Sequence, residues 1–184
     1  MRGVDWIRDG GAPSIDFVNT LRDRWSPTPR ETLPTGTSVI DWLQEGGIPV
    51  CPDATPDHDA ALALRAALEA LFEHRSTAAQ ITLINNLSHT AARPTLRQTP
   101  DGVVADTTPL SFDAALGRLA ADAIRLAADR LLERVGICHH ERCGLLFVDT
   151  SRGRQRQWCS MQRCGNRTKV ARFEERRRDP EMHA

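Results

Sequence analysis

The sequence predicts a mainly α-helical protein with a short β-hairpin and a small four-cysteine zinc module at its C-terminal end. Apolar residues recur at spacings of three and four through most of residues 1–135, which is typical of amphipathic helices. Four of the five cysteines fall within 27 residues, and in a cytosolic chain such clustering favours a metal site over disulfides. We therefore divide the chain into a helical domain, residues 1–135, and a zinc module, residues 136–184.

Five helices are predicted in the first part, because each apolar stripe follows a residue that can cap a helix. The predicted caps are Ser14, Ser38, Thr55 and Ser111, and the fourth helix should extend from about Thr77 to His89. The second helix should end at Gly46 and Gly47, and the fifth should extend to about Val135. Between the fourth and fifth helices, an Asp-Gly turn predicts a β-hairpin over residues 95–106.

The cysteines of the zinc module form two pairs of equal spacing, Cys138-x4-Cys143 and Cys159-x4-Cys164. Two such pairs can offer four sulfurs to one tetrahedral ion, each about 2.3 Å from the metal. Four cysteines close the coordination shell, so the pattern predicts one structural Zn²⁺ rather than a catalytic ion. A module of this size has little core of its own, and we expect it to unfold on metal removal while the helical domain survives.

Other arrangements of these residues stay open at this point. The four thiols can be unrelated and buried, or they can form two disulfides. His139 or His140, inside the first pair, can replace a cysteine as ligand or remain an ordinary surface residue. Cys51 lies between two prolines, far from the cluster in sequence, and we expect it to be a plain structural thiol.

The fifteen residues between the cysteine pairs predict a second hairpin. Residues 144–148 are β-prone, residues 151–154 favour a turn, and residues 155–158 can form the return strand. A helix should follow the last cysteine, from about residue 168 to residue 178. Gly165 and Asn166 tolerate unusual backbone angles, so we expect them to shape the turn before it. The order of knuckle, hairpin, cysteine pair and helix is that of a treble clef.

Two segments of this module resemble the signature of the CGNR zinc-finger family. They are RQWCSMQRCGNRTK at residues 156–169 and CGLLFVDTSR at residues 143–152. The motifs IDFVNT at residues 15–20, DWL at 41–43 and LRAAL at 64–68 resemble the ABATE domain, a family of stress-induced transcription regulators usually joined to that finger. The resemblance covers almost the whole chain and implies zinc binding and a nucleic-acid role. One departure is Gln157, where the family often has a second arginine.

Basic residues of the module form a candidate nucleic-acid surface. Residues 151–184 hold ten basic and four acidic residues, whereas the whole chain has a formal net charge of zero. On the C-terminal helix, basic residues recur at spacings of three and four and share one face. The candidate contacts are Arg152, Arg154, Arg167, Lys169, Arg172 and Arg176. Such a surface can follow a phosphate backbone, most readily that of DNA.

Three alternatives accompany this interpretation. The same arginines can bind RNA, because a basic patch does not distinguish the two nucleic acids. The module can be a protein-interaction adaptor in which zinc is purely structural, or the basic end can dock on the acidic body. Arg167 has a further choice between pairing with Asp149 and facing phosphate.

Several functional classes are excluded or disfavoured by the sequence. Its 40% apolar and 26% charged composition argues against wholesale disorder, and no apolar run approaches the roughly 18 residues that span a bilayer. No P-loop, G-x-S-x-G, G-x-G-x-x-G or H-E-x-x-H motif is present, so we do not expect an enzyme. The N-terminus lacks the apolar run of a secretion signal, which predicts a cytoplasmic protein without a membrane partner.

The helical domain is the candidate sensor or assembly element. Asp16 and Asn19 in the first helix can line a pocket for a small-molecule effector, or they can serve as capping residues. No pattern in the sequence specifies the effector or the oligomeric state.

Overall fold

The computed structural model describes residues 6–24, 26–93, 95–105 and 108–178. Its α-helices are α1 Pro13–Val18, α2 Gly36–Glu45, α3 His58–Phe72, α4 Ala78–Ser88, α5 Phe112–Ala128 and α6 Asn166–Arg178. Its strands are β1 Leu21–Arg22, β2 Arg30–Glu31, β3 Leu96–Thr99, β4 Gly102–Ala105, β5 Val135–Ile137 and β6 Leu146–Val148. Each strand pairs antiparallel with one neighbour, β1 with β2, β3 with β4 and β5 with β6. The predicted fold class, mainly helical with short strand pairs and a C-terminal cysteine cluster, is confirmed.

The helical core lies where α1, α3 and α5 pack against one another. Helix α3 contributes Leu64 and Leu68, and α5 contributes Leu116 and Leu119, all without solvent exposure. On α1, the ring of Phe17 lies 5.2 Å from that of Trp42 on α2. Helix α4 covers α5 and α3 from one side. These core residues belong to the apolar stripes that the sequence predicts for the helices.

One of the four predicted helix caps, Ser111, is confirmed, and the fourth helix begins where the sequence predicts it. The Thr77 side chain accepts a hydrogen bond from the backbone N–H of Gln80, and Ser111 accepts one from Ala114. The β3–β4 hairpin also forms where the Asp-Gly turn predicts it, although the end of its predicted range, residue 106, lies outside the described residues.

The other three predicted caps are wrong by a few residues. Ala12, Thr35 and Asp57 precede α1, α2 and α3. Ser14 lies inside α1, where its hydroxyl donates to Asp122 Oδ2 over 2.6 Å. Thr35 and Ser38 instead form a reciprocal capping box, so Ser38 occupies the third helical position of α2. At α2 and α3 a neighbouring polar residue, Thr35 or Asp57, satisfies the backbone donors instead, whereas α1 has no side-chain cap.

Helix α5 is shorter than predicted, because the chain reverses after Ala128. Arg130 adopts a left-handed backbone with φ of 56°, and a short 3₁₀ turn, Leu132–Arg134, follows. Val135 then begins strand β5 instead of a last helical turn. A short apolar run is compatible with a strand or with a buried helical turn. Residues 135–137 form a strand because they pair with β6.

The β5–β6 hairpin joins the C-terminal module to the helical core. Leu146 and Val148 of β6 are buried in the same cluster as Phe17. Asn19 donates from Nδ2 to the carbonyl of Leu146 and accepts at Oδ1 from its N–H, both over 2.9 Å. The predicted boundary after residue 135 falls within β5, so the two parts of the chain share a core.

Candidate metal centre

The four paired cysteines meet beside a second, smaller hydrophobic cluster. Cys138, Cys159 and Cys164 are buried there with Ile7, Leu145 and Phe147, and Cys143 packs against them. Cys138 follows β5 and Cys143 precedes β6, so the hairpin delivers the first pair. Cys159 and Cys164 flank the start of a π-helical turn, Met161–Gly165, that leads into α6.

A tight turn brings the first two cysteines together. Cys138 donates from its backbone N–H to the carbonyl of Leu145 over 2.8 Å, and Cys143 donates to His140 over 2.9 Å. Gly144 has φ of +64°, a left-handed conformation that side chains disfavour. The backbone N–H of Leu145 is thereby directed at Cys143 sulfur, as expected in a metal-binding knuckle.

The sulfur atoms have the spacing that a tetrahedral metal site requires. All four Sγ atoms lie within 4.8 Å of one another, with 3.6 Å between Cys143 and Cys159 and 3.7 Å between Cys159 and Cys164. A metal about 2.3 Å from each sulfur places neighbouring sulfurs about 3.8 Å apart, whereas a disulfide requires about 2.05 Å. All five cysteines are free thiols, so the cluster fits a metal and contains no disulfide among these described residues.

The thiols perturb one another strongly. The pKa of Cys143 falls to about 5, chiefly because its sulfur shares a hydrogen bond with Cys159. The same hydrogen bond, followed by burial, raises the pKa of Cys159. Burial first, and then the bond to Cys143, raises the pKa of Cys164 to about 12. A first thiolate therefore forms readily and further ones require a cation, which is the behaviour of a metal-binding cysteine cluster.

The other candidate ligands lie outside this cluster. His139 is exposed, and its ring lies edge-on to that of Trp158 at 6.2 Å. His140 Nδ1 accepts a hydrogen bond from the backbone N–H of Arg142. Cys51 is remote from the cluster and donates to the carbonyl of Pro109 over 3.3 Å, in agreement with a plain structural thiol.

The predicted hairpin of residues 144–158 is wrong in its second strand. Strand β6 pairs with β5, and residues 155–158 form no strand. Asp149 fixes the turn instead, because its carboxylate accepts from the backbone N–H groups of Ser151 and Arg156. Hydrogen bonding, first with Ser151, lowers the pKa of this carboxyl below its usual value. Side chains rather than a second backbone ladder hold the return segment.

Arg156 is the centre of this arrangement and a residue whose role the sequence does not reveal. Its guanidinium donates to the carbonyls of Val148, Trp158, Cys159 and Asp9, and it lies 4.6 Å above the ring of Phe147. In the sequence, Arg156 is one of ten basic residues between positions 151 and 184, and no local pattern distinguishes it from the others. The structure places it between β6, the third cysteine and the N-terminal segment, where it ties them together.

Two residues of the CGNR motif have ordinary helical backbones. Asn166 has φ of −67° and begins α6, so its tolerance of a left-handed backbone is not used here. At Gly165, a Cβ atom would lie 2.6 Å from Sδ of the half-exposed Met161 and 3.2 Å from Trp158 Cδ1, so a larger residue there needs small shifts of these two side chains. The conformational role predicted for Gly165 belongs to Gly144 instead.

The predicted nucleic-acid residues lie on the outer surface as far as the structure describes them. Arg152, Arg154, Arg167 and Lys169 are exposed. Arg172 and Arg176 belong to α6, but their side chains lie outside the described part of the chain. Among the described contacts, the carboxylate of Asp149 is engaged by Ser151 and Arg156 rather than by Arg167.

A basic cleft beside the metal centre is absent from the sequence-based predictions. It has a volume of about 530 Å³ and a floor formed in part by Ile7 and Leu145. Five arginines from four separate parts of the chain line it, namely Arg22, Arg30, Arg142, Arg163 and Arg167. Only Arg163 and Arg167 are close in sequence, so no local pattern could have indicated the cleft.

The candidate effector residues Asp16 and Asn19 serve the fold. Asn19 is 1% exposed and binds the Leu146 peptide group. Asp16 Oδ1 accepts from the backbone N–H of Gly10 over 2.7 Å. Burial raises the pKa of Asp16 to about 6, although the hydrogen bond from Gly10 opposes that shift. Both side chains are thus engaged by backbone groups.

Replacing Asp16 with asparagine is expected to stabilise the protein, and more so at high pH. Between the ordinary pKa of 3.8 and the folded pKa of about 6, the folded state binds more protons and stability falls as pH rises. The asparagine side chain would keep an oxygen acceptor for the Gly10 N–H and carry no charge. Urea unfolding should show a gain of about 1–3 kcal/mol at about pH 8 and roughly 1 kcal/mol less at about pH 5.

The exposed Asp53→Asn provides the matched control and should show no such gain. Metal content is measured at both pH values, since thiolate ligands bind metal less well in acid. An equal effect of Asp16→Asn at both pH values would contradict the raised pKa.

Comparison with known proteins identifies the two parts of the chain. Residues 11–130 match ABATE, described as "putative stress-induced transcription regulator", and residues 134–177 match the CGNR zinc finger. The ABATE match covers more than half of the chain, so the chain belongs to this family and carries a CGNR zinc finger at its C-terminal end. No curated protein matches the sequence significantly. No helix in the described ranges is long and apolar enough to cross a membrane.

Proposed function

We propose that the protein is a cytoplasmic transcription regulator that binds DNA through its zinc finger. The observation that carries the proposal is the exposure of Arg152, Arg154, Arg167 and Lys169 on a module organised by four clustered cysteines. Guanidinium and ammonium groups on such a surface bind backbone phosphates and release counterions. The family description supports a regulatory role in the stress response rather than an enzymatic one.

One Zn²⁺ is the metal that this function requires. Four thiolates at tetrahedral spacing are typical of structural zinc, and they leave no open position for substrate. When bound, zinc supplies the charge that holds the thiolates together. Its role is to fix the knuckle, the loop around Asp149 and the start of α6, so that the basic residues occupy a constant arrangement.

The helical domain is proposed to supply the regulatory input, by binding an effector or by mediating assembly. Its supporting feature is the shared core with β6, because a change in the position of α1 is transmitted directly to Leu146 through Asn19. A signal in the helical domain can therefore change the geometry of the finger without a flexible linker between them.

Salt-dependent binding to duplex DNA is the expected signature of this function. If Arg152, Arg154, Lys169, Arg172 and Arg176 each neutralise a phosphate, the slope of log affinity against log salt is about −4 to −5. The double variant Arg152→Ala/Lys169→Ala should flatten that slope by about two units and weaken binding to all duplex sequences alike. Fluorescence anisotropy between about 50 and about 200 mM salt measures both quantities.

A double variant on the helical domain, Arg97→Ala/Arg118→Ala, removes the same charge from two other exposed positions and should leave the slope unchanged. Metal content should be equal in all three proteins. Tighter binding to RNA than to duplex DNA would mean that the protein is an RNA-binding protein. Salt-insensitive or absent binding to duplex, single-stranded DNA and RNA would overturn it in favour of a protein-interaction adaptor.

A further inference from the structure

The cleft beside the metal centre has the composition of an anion-binding site. Arg22 and Arg30 reach it from strands β1 and β2 of the helical domain, and three further arginines reach it from the finger. Of the described residues that line the cleft, Asp23 is the one carboxylate. Guanidinium groups bind phosphate oxygens through paired N–H donors, so several of them around one cavity favour a phosphoanion.

Two of the three carboxylates that pair with these arginines bind them loosely. Asp23 pairs with Arg30 at 3.8 Å and Glu141 with Arg142 at 3.9 Å, whereas Asp9 pairs with the partly buried Arg163 at 3.3 Å. The side chains of Arg30 and Arg142 are 64% and 81% exposed. Exposed pairs of such length contribute about 0–1 kcal/mol, so Arg30 and Arg142 can exchange their carboxylates for a better acceptor.

Charge balance of the metal centre accounts for only part of this cluster. Zinc with four thiolates carries about two negative charges, and Cys143 lies among the lining residues. Burial first, and then the neighbouring charges of Arg30 and Arg163, lower the pKa of Arg22, and the Cys143 thiolate raises it by less. The other three positive charges are offset by the carboxylates of Asp9, Asp23 and Glu141, and two of these carboxylates belong to long, exposed pairs that a phosphoanion can replace.

We propose that this cleft binds a small phosphoanion of pyrophosphate or nucleotide size. Its volume of about 530 Å³ lies within the range of small-molecule sites, about 300–1,000 Å³. The bound phosphates contact the helical domain through Arg30 and the finger through Arg167, so the ligand fastens the finger to the helical domain. The idea that the ligand is an effector rests on the proposed regulatory function. Binding of the ligand to the cleft is tested separately, in the absence of nucleic acid.

The test uses the zinc-loaded full chain and inorganic pyrophosphate as the probe, titrated by calorimetry at constant ionic strength. The cleft variant is Arg30→Gln/Arg167→Gln, and its matched control is Arg152→Gln/Arg154→Gln, which removes equal charge from exposed positions outside the cleft. The parent and the control should bind equally, and the cleft variant at least about tenfold more weakly. Pyrophosphate should raise the thermal midpoint of the parent and of the control, but not of the cleft variant.

Metal analysis after each titration verifies that pyrophosphate has not removed the zinc. Equal binding by the cleft and control variants, or no binding by the parent at millimolar pyrophosphate, would overturn the proposal. A third outcome would also overturn it: the parent binds duplex DNA but not pyrophosphate, and the cleft variant no longer binds the duplex. The cleft would then be a binding site for the DNA backbone. A parent that binds pyrophosphate in the cleft but no nucleic acid would support the site and refute the proposed DNA binding.

Discussion

Replacing Cys159 with serine is expected to release the metal and to loosen the helical core together with the finger. Cys159 is 1% exposed and shares hydrogen bonds with the sulfurs of Cys143 and Cys164. Structural zinc sites of this kind contribute apparent binding free energies of about 10–16 kcal/mol at neutral pH. A module of about 45 residues has no core that could compensate for such a loss.

The shared core changes the expectation that the helical domain survives metal loss intact. Leu146 and Val148 are 1% exposed in the helical cluster, and burying each side chain contributes roughly 1.5–3 kcal/mol. When the knuckle unfolds, β6 loses its anchor and these contacts weaken. Hydrogen exchange should therefore speed up in α1 and α5 as well as in residues 135–165.

The measurement combines metal analysis, thermal unfolding and hydrogen exchange. The control is Cys51→Ser, which removes a thiol outside the cluster and should keep a full equivalent of zinc. Retention of zinc by Cys159→Ser would contradict the four-cysteine centre. Unchanged exchange in α1 and α5 after metal loss would contradict the coupling through β6.

Replacing Arg156 with alanine is expected to destabilise the protein strongly. The substitution removes hydrogen bonds to four backbone carbonyls and the contact with the Phe147 ring. Leaving partly buried carbonyls without a donor costs about 1–3 kcal/mol for each group, and such losses are not additive. We expect a loss of about 3–5 kcal/mol in the free energy of unfolding, with weaker zinc retention.

Lysine at position 156 should restore little of this stability, because an ammonium group lacks the planar fork that reaches several carbonyls at once. Arg154→Ala, two residues earlier on an exposed loop, should change stability by less than about 0.5 kcal/mol. Urea unfolding of the zinc-loaded proteins provides the comparison. If Arg156→Ala instead kept its stability and only weakened DNA binding, Arg156 would be a phosphate contact and the structural role would be refuted.

Local patterns predicted the features that local chemistry determines. The cysteine pairs, the Asp-Gly hairpin and the cap at Ser111 each depend on residues a few positions apart. The coordination chemistry of zinc links the two cysteine pairs across the intervening residues, which is why the metal centre could be predicted although it is not local.

The features that escaped prediction depend on contacts between distant segments. Val135 continues an apolar helical stripe in the sequence, and only its partner Val148 makes it a strand. An arginine is usually a surface residue, and only its hydrogen bonds to distant carbonyls, such as that of Asp9, show that Arg156 connects separate segments. The arginine cleft joins residues 22 and 167, which no window of sequence contains.

The outer edge of β6 is covered by residues of the helical domain, which limits how the finger can be moved to another protein. Asn19 behaves as a surrogate neighbouring strand for Leu146, and the carbonyl of Gly10 accepts from Val148 over 2.8 Å. An unprotected strand edge is a template for adding another chain. A finger cut away after residue 135 would expose that edge, and we expect it to self-associate, so a portable unit should include residues 9–20 together with the cysteines.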